Sequence, residues 1–98
     1  MASNSIESYI TGHHVYKRIW TPKIGEKLHC EREPTNRYDP NAVTVMKEGK
    51  VVGRVAKEHA AYFNKCLREG KTVVAQVTGK RENRRGNGLK VPAIFFCE

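Results

Sequence analysis

Residues 31–43 read Glu-Arg-Glu-Pro-Thr-Asn-Arg-Tyr-Asp-Pro-Asn-Ala-Val and join two strand-like runs. Pro34 and Pro40 restrict the backbone and disfavour helix in the residue before each of them. The asparagines and the aspartate of this stretch are turn formers that bond their own backbone. The stretch therefore predicts a stiff loop. Two interpretations of Tyr38 and Asp39 are open: a recognition site, or a tight turn on which the tyrosine packs while the aspartate caps backbone N–H groups.

Alternating strand patterns lie on both sides of this loop. Lys27–Arg32 alternates apolar and charged side chains, and Ala42–Lys47 alternates again after the loop. Gly49 can supply the positive φ of a hairpin turn, so we expect Val51–Val55 to return beside Ala42–Lys47. This hairpin is the clearest local structure that the sequence predicts.

One helix is predicted over Lys57–Glu69, because apolar and small side chains recur there every three or four residues. Gly70 is suited to end it. The basic stretch 80–88 indicates a flexible loop. The remaining predicted strands are Ile6–Val15, with a possible bulge at Gly12, Thr72–Thr78 and Leu89–Phe96, in which Pro92 indicates an edge or a bulge.

These elements predict a single, mainly β domain over residues 1–98. About six short strands with glycine-rich corners are typical of a small, partly closed β-barrel, and the one main helix falls between the fourth and fifth strands. OB-like and SH3-like barrels both fit this outline. A chain of 98 residues has room for one modest core.

The composition favours a polyanionic partner. The net charge is +8 and the pI is about 9.7, while 39% hydrophobic content is typical of a globular chain. A basic surface without a nucleic-acid role remains the alternative. No apolar run approaches the roughly 20 residues that span a bilayer, and residues 1–5 lack the pattern of a secretory signal. We therefore expect an intracellular protein with no membrane partner.

Neither a metal site nor catalysis is predicted. Cys30, Cys66 and Cys97 are odd in number and widely spaced, so we expect buried apolar thiols rather than a zinc site or a disulfide framework. The sequence has no phosphate-binding Gly-rich motif and no nucleophile motif. His13 and His14 fall on a predicted strand, where neighbouring side chains face opposite ways. The expected function is thus non-catalytic and needs no cofactor.

Aromatic and cationic side chains are interleaved near the loop, as in proteins that bind single-stranded nucleic acid. We expect Trp20 to pack in the core and Tyr38 to be exposed, whereas for Tyr16 both interpretations are open. The neighbouring cations are Lys17, Arg18, Arg32 and Arg37, and the loop around Arg84 and Arg85 adds further charge.

With these residues in view, the chain resembles the HIRAN domain. The resemblance rests on Pro34, on Tyr38-Asp39 followed by Asn41-Ala42, and on Gly53 in the returning strand. It covers roughly residues 8–96. It implies a modified OB-type β-barrel, a module found in SWI/SNF-type helicase-like DNA translocases and also in shorter proteins. The best-understood members bind single-stranded DNA and capture its 3′-hydroxyl end, which in the translocases supports replication-fork reversal.

The resemblance also implies roles for individual residues. Tyr38 would stack on the last base or sugar, and Asp39 would accept a hydrogen bond from the 3′-hydroxyl. Lys57 matches a lysine that contacts phosphate in the family. Arg54 follows the glycine, where a well-known branch has histidine, and is able to hold a phosphate. The remaining candidates are His14 and Tyr16, nearest to an arginine and an aromatic of the family, Arg32, Leu89 in place of a pocket aromatic, Arg84 and Arg85.

The sequence thus predicts a module that binds single-stranded DNA with a free 3′-hydroxyl end, as in DNA repair or fork remodelling, and a nuclear location. RNA is a further candidate partner, and a larger protein with a motor or nuclease domain is a compatible context. Two alternatives are open: general binding of single-stranded DNA or RNA without end recognition, and a protein-interaction module.

Overall fold

The computed structural model describes residues 4–12, 20–33, 37–83 and 89–98. These residues form seven strands and a helix. In chain order they are β1 (Asn4–Thr11), β2 (Lys27–Arg32), β3 (Val43–Lys47), β4 (Lys50–Val55), α1 (Lys57–Arg68), β5 (Val73–Val77), β6 (Glu82–Asn83) and β7 (Leu89–Cys97).

Six of the strands close into an antiparallel barrel. They follow the order β1, β4, β3, β2, β5, β7, and β7 pairs with β1 from Asn4 opposite Cys97 to Ile10 opposite Val91. The short strand β6 pairs with the start of β7. The expected mainly β barrel is therefore confirmed, and its ring of six strands is closed rather than partly open.

Two strand predictions differ from the structure. β1 ends at Thr11, because Gly12 takes a φ of 76° that extended backbone does not allow, and residues 13–15 of the predicted strand lie outside the described residues. The sequence predicted a loop for the stretch that contains β6, because the two polar residues of this short strand show no alternating pattern. Pro92 stands where β7 changes its partner from β5 to β6, a position that needs no ladder N–H.

The β3–β4 hairpin confirms the sequence prediction. Glu48 and Gly49 both have positive φ, 51° and 79°, which is the conformation of a type I′ turn. Further along β4, Gly53 lies directly under β1. A Cβ at Gly53 would collide with the Ile10 side chain and lie 2.9 Å from the Thr11 carbonyl oxygen, so the closed barrel requires glycine here.

The helix confirms its predicted range to within one residue. Its buried residues include Ala60, Phe63 and Cys66, and it packs against β2, β3 and β5. The Phe63 ring lies 5.4 Å from that of Phe95, centre to centre. Because α1 connects the end of β4 to the start of β5, it lies across one end of the barrel. The Gly70 N–H donates to the Leu67 carbonyl and ends the helix as predicted.

The cysteine prediction was right about burial and wrong about pairing. All three cysteines are buried, but Cys66 of α1 and Cys97 of β7 form a disulfide. No local pattern indicated this bond, because the two residues meet only after the helix folds back over the barrel. Cys30 remains a thiol, and its burial raises its pKa to about 12.

Trp20 packs in the core, as expected, and is 2% exposed. Its Nε1 donates to the two Glu26 carboxylate oxygens at 3.2 and 3.3 Å. Lys47 reaches the same carboxylate at 2.6 Å from β3. This cluster fixes the segment that leads into β2 against the barrel.

In the part of the chain that the structure describes, no helix is long and apolar enough to cross a bilayer.

Candidate nucleic-acid interface

The loop between β2 and β3 is closed by hydrogen bonds at its base. The Glu33 N–H donates to the Ala42 carbonyl at 3.0 Å, and the Ala42 N–H donates to the Asp39 carbonyl at 3.1 Å. The Asn41 N–H donates to Asp39 Oδ1 at 3.0 Å. Asp39 thus caps a backbone N–H, as the tight-turn interpretation of this loop predicted, and this bond fixes the direction of its carboxylate.

Tyr38 precedes this turn and is 98% exposed. Its predicted exposure is confirmed. Among the described residues, the other exposed large hydrophobic side chain is Ile24, which is 65% exposed. An exposed aromatic ring beside a fixed carboxylate can offer an apolar face and a hydrogen-bond acceptor to one ligand.

Arg54 joins the loop to the barrel. Its Nε donates to Glu33 Oε2 at 3.0 Å and its Nη2 donates to Glu33 Oε1 at 3.2 Å, a two-point ion pair on side chains that are both partly exposed. The Thr11 hydroxyl donates to the Arg54 carbonyl at 3.2 Å. The sequence did not indicate this partner, because 21 residues separate the two and only the strand register brings them together.

The register places Arg54 on the outer face of the barrel. Arg54 lies opposite Thr11 of β1 and Thr44 of β3, whereas the neighbouring Ile10 and Val55 face the interior and are buried. Successive strand residues face opposite sides, so Thr11, Arg54 and Thr44 form a row across three strands. This row ends beside the β2–β3 loop.

Three comparisons place the chain among known proteins. The family model of the HIRAN domain matches residues 3–94. The chain belongs to the HIRAN family. HIRAN domains are DNA-binding modules. A search of the curated proteins finds no match.

Two solved structures share the fold of this HIRAN domain. The HIRAN domain of human HLTF superposes with a TM-score of 0.75 at 22% identity, over 95% of this chain and 74% of that chain. A protein from Lactobacillus plantarum superposes with a TM-score of 0.67 at 16% identity, over 99% of each chain. At these identities the likeness establishes the fold alone.

The structure brings some of the candidate site residues of this HIRAN domain together and leaves others apart. Tyr38, Asp39 and Arg54 belong to one structural unit, because the Glu33–Arg54 ion pair links the loop to β4. Arg32 is exposed at the end of β2, and Lys57 is exposed at the first position of α1, three residues after Arg54. Leu89 begins β7 opposite Asn83, and its side chain is not described. His14, Tyr16, Arg84 and Arg85 lie outside the described residues.

The described ranges hold no group of three or more His, Cys, Asp or Glu side chains placed to bind a metal ion.

Proposed function

We propose that this HIRAN domain binds single-stranded DNA and holds a free 3′-hydroxyl end at the Tyr38–Asp39 loop. The observation that carries the proposal is the 98% exposed Tyr38 ring beside a carboxylate whose direction is fixed by the Asn41 N–H. A carboxylate offers two oxygens and about four lone-pair sites. Its bond to Asn41 is therefore compatible with a further bond from a sugar hydroxyl.

The chemistry of the loop selects the end of a strand. The 3′-hydroxyl donates a hydrogen bond to Asp39, and the last base or sugar lies against the Tyr38 ring. A 3′-phosphate, or the phosphate that continues a longer strand, brings negative charge to the same carboxylate. This repulsion disfavours every ligand that carries a phosphate at that position, and an uncharged blocked end loses the hydrogen bond to Asp39.

Cations around the loop would neutralise the phosphates that lie upstream of the 3′ end in the DNA strand. Arg54, Lys57 and Arg32 stand on the strand ends and the helix start that border it. Glu33 engages the Nε and Nη2 of Arg54, and the planar fork of a guanidinium suits two-point contacts with carboxylate and with phosphate alike. Arg54 can therefore bridge Glu33 and a phosphate. These contacts make binding weaken as salt rises.

End capture fits a role in DNA repair or fork remodelling, where free 3′ ends are exposed. A second function, general binding of single-stranded DNA or RNA, is favoured by the net charge of +8, which does not depend on an end. The two functions predict different affinities for a circular strand, which has no 3′ end.

The test compares four oligonucleotides of one sequence by fluorescence anisotropy. They carry a 3′-hydroxyl, a 3′-phosphate or a blocked 3′ end, or are closed into a circle. The proposal predicts the highest affinity for the 3′-hydroxyl and poor competition by the circle. Equal affinity for all four would contradict end capture and favour general binding. An RNA of the same sequence shows whether a terminal 2′-hydroxyl is tolerated.

A further inference from the structure

A second surface lies on the outer face of β1 and β7, next to the row that contains Arg54. Tyr9 of β1 lies opposite Pro92 of β7 in the strand register. Ile10 and Val91, their neighbours along each strand, are fully buried in the core. Alternation therefore turns Tyr9 and Pro92 outward. Lys90, two residues before Pro92, faces the same way. We call this surface the β1–β7 groove.

The groove is a formed concavity with a stiff wall. Its volume is about 340 Å³, and it is lined by Glu7, Ser8, Tyr9, Thr78, Pro92 and Ala93. The Thr78 N–H donates to the Pro92 carbonyl at 2.9 Å. Gly79 packs closely on the proline, since a Cβ there would lie 3.2 Å from Pro92 Cγ. The chain after β5 is thereby held against β7.

Aromatic and cationic groups meet at this groove. Lys90 Nζ lies over one face of the half-buried Tyr9 ring, 5.8 Å from the ring centre, so a base that stacks on this face would displace the lysine toward the flanking phosphates. Lys80 and Arg81 are exposed just beyond Thr78. An aromatic platform bordered by cations is the arrangement with which proteins stack bases and follow a phosphate backbone.

The acidic residue of the groove decides which part of a nucleotide fits inside it. Glu7 repels phosphate, but its carboxylate can accept a hydrogen bond from an N–H group of a base, such as the ring N3–H of thymine. Thr78 can donate or accept through its hydroxyl. A base therefore suits the interior, while Lys90 and Lys80 suit the phosphates that flank it.

We propose that the β1–β7 groove is a second subsite, which stacks a base of the same DNA strand upstream of its 3′ end. This proposal rests on the proposed function at Tyr38 and Asp39. The position of the groove beside Arg54 supports this proposal. Arg54 lies opposite Thr11 of β1, and Tyr9, two residues before Thr11, is on the same outer face. A strand that leaves the loop across Arg54 reaches the groove next.

The experiment measures affinity against strand length at fixed end chemistry. Oligothymidylates of two, four and eight nucleotides, each with a 3′-hydroxyl or a 3′-phosphate, are titrated against the wild type, Tyr9→Ala, Tyr9→Phe and Lys90→Gln. Loss of one stacked base corresponds to roughly tenfold in affinity. We expect Tyr9→Ala to lose about tenfold for the eight-nucleotide strand and nothing for the dinucleotide. Its preference for the 3′-hydroxyl should remain.

The other variants separate stacking from charge and from folding. Tyr9→Phe keeps the ring and should bind as the wild type does. Lys90→Gln should weaken the longer strands and reduce the dependence of log Kd on log salt by about one unit. Lys50→Gln, at the first residue of β4, removes one exposed cation at the end of that strand opposite to Arg54 and should leave the gain of affinity with strand length unchanged. Thermal unfolding of each variant verifies that it is folded.

The outcomes distinguish the two proposals. If Tyr9→Ala and Lys90→Gln, both folded, gain affinity with length as the wild type does, the groove is not a subsite. If the wild type itself shows no preference for the 3′-hydroxyl dinucleotide over its 3′-phosphate, end capture fails at the loop. That second result leaves the length series as an independent test of the groove.

Discussion

Tyr38 and Trp20 show how two aromatic residues of one domain take opposite roles. Trp20 is buried and its N–H is bound by Glu26, whereas Tyr38 stands almost wholly in solvent. Burial of a large ring contributes to stability, and an exposed ring does not. The neighbours in sequence indicated this difference, because polar residues flank Tyr38 on both sides.

We predict that Tyr38→Ala leaves stability unchanged and weakens DNA binding. The side chain is exposed, so the free energy of unfolding should change by less than about 0.5 kcal/mol. Loss of stacking should cost about 1–3 kcal/mol of binding free energy for a 3′-hydroxyl oligonucleotide. Ile24→Ala, at a second large hydrophobic that is exposed among the described residues, is the matched control and should bind normally. Equal binding by both variants would remove Tyr38 from the site.

Gly53 is the residue at which the barrel tolerates no side chain. We predict that Gly53→Ala destabilises the fold by about 1–3 kcal/mol, because the added methyl collides with Ile10 and with the Thr11 carbonyl. Urea unfolding measures the change. A variant as stable as the wild type would show that β1 does not cross β4 as closely as described.

At the scale of elements, the Glu33–Arg54 ion pair connects the loop to the barrel wall. We predict that Glu33→Gln raises the affinity for single-stranded DNA several-fold at low salt, because it removes a negative charge beside the loop and the carboxylate that competes with phosphate for Arg54. Glu48→Gln in the β3–β4 turn makes the same change of net charge away from the loop. A gain no larger than that of Glu48→Gln would mean that Arg54 does not face the DNA.

The Cys66–Cys97 disulfide fastens α1 to the last strand of the barrel. It closes a loop with a sequence separation of 31 residues, for which chain entropy predicts a stabilisation of about 3–4 kcal/mol. We expect reductant to lower the midpoint of urea unfolding accordingly. The double variant Cys66→Ser with Cys97→Ser should resemble the reduced protein and ignore reductant. If reductant leaves the midpoint of urea unfolding of the wild type unchanged, the disulfide does not stabilise the fold as predicted.

At the scale of the whole molecule, Glu26 makes stability depend on pH. Partial burial raises the pKa of its carboxyl, but hydrogen bonds from Lys47, the Lys23 N–H and Trp20 outweigh burial and lower the pKa overall. A carboxyl with a lowered pKa in the folded state stabilises the fold above its ordinary pKa, and this contribution is lost as pH falls below that value.

We therefore predict a smaller loss of stability on acidification for Glu26→Gln than for the wild type. Melting temperatures measured from neutral pH down to pH about 3 test this expectation. Glu48→Gln, at an exposed turn position, is the control and should follow the wild type. Parallel curves for Glu26→Gln and the wild type would assign the acid sensitivity to other carboxyls.

Local features of this fold were predictable from the sequence, and long-range features were not. Alternation gave β2, β3 and β4, Gly49 gave the hairpin turn, and helical spacing gave α1. The closure of β7 on β1 depends on register between residues that are far apart in the chain. The Cys66–Cys97 disulfide could not be predicted for the same reason, because its two cysteines are far apart in the sequence.

The candidate site divides in the same way. Tyr38 and Asp39 could be proposed from the sequence because the turn chemistry and the family resemblance both lie within one short stretch. The ion pair between Arg54 and Glu33 could not be predicted, because nothing in the local sequence around either residue indicates that the other is its partner. The roles of Lys57, Arg32 and Leu89 in DNA binding stay predictions.

We propose above all that the Asp39 carboxylate recognises the 3′-hydroxyl end of a DNA strand, and one measurement tests this recognition most directly. The ratio of Kd for a 3′-phosphate to that for a 3′-hydroxyl oligonucleotide is determined for the wild type and for Asp39→Asn. Asparagine keeps the oxygen that accepts the Asn41 N–H, so the turn survives while the charge is removed. We predict a ratio well above one for the wild type that falls close to one in Asp39→Asn. The same ratio in both proteins would contradict the claim.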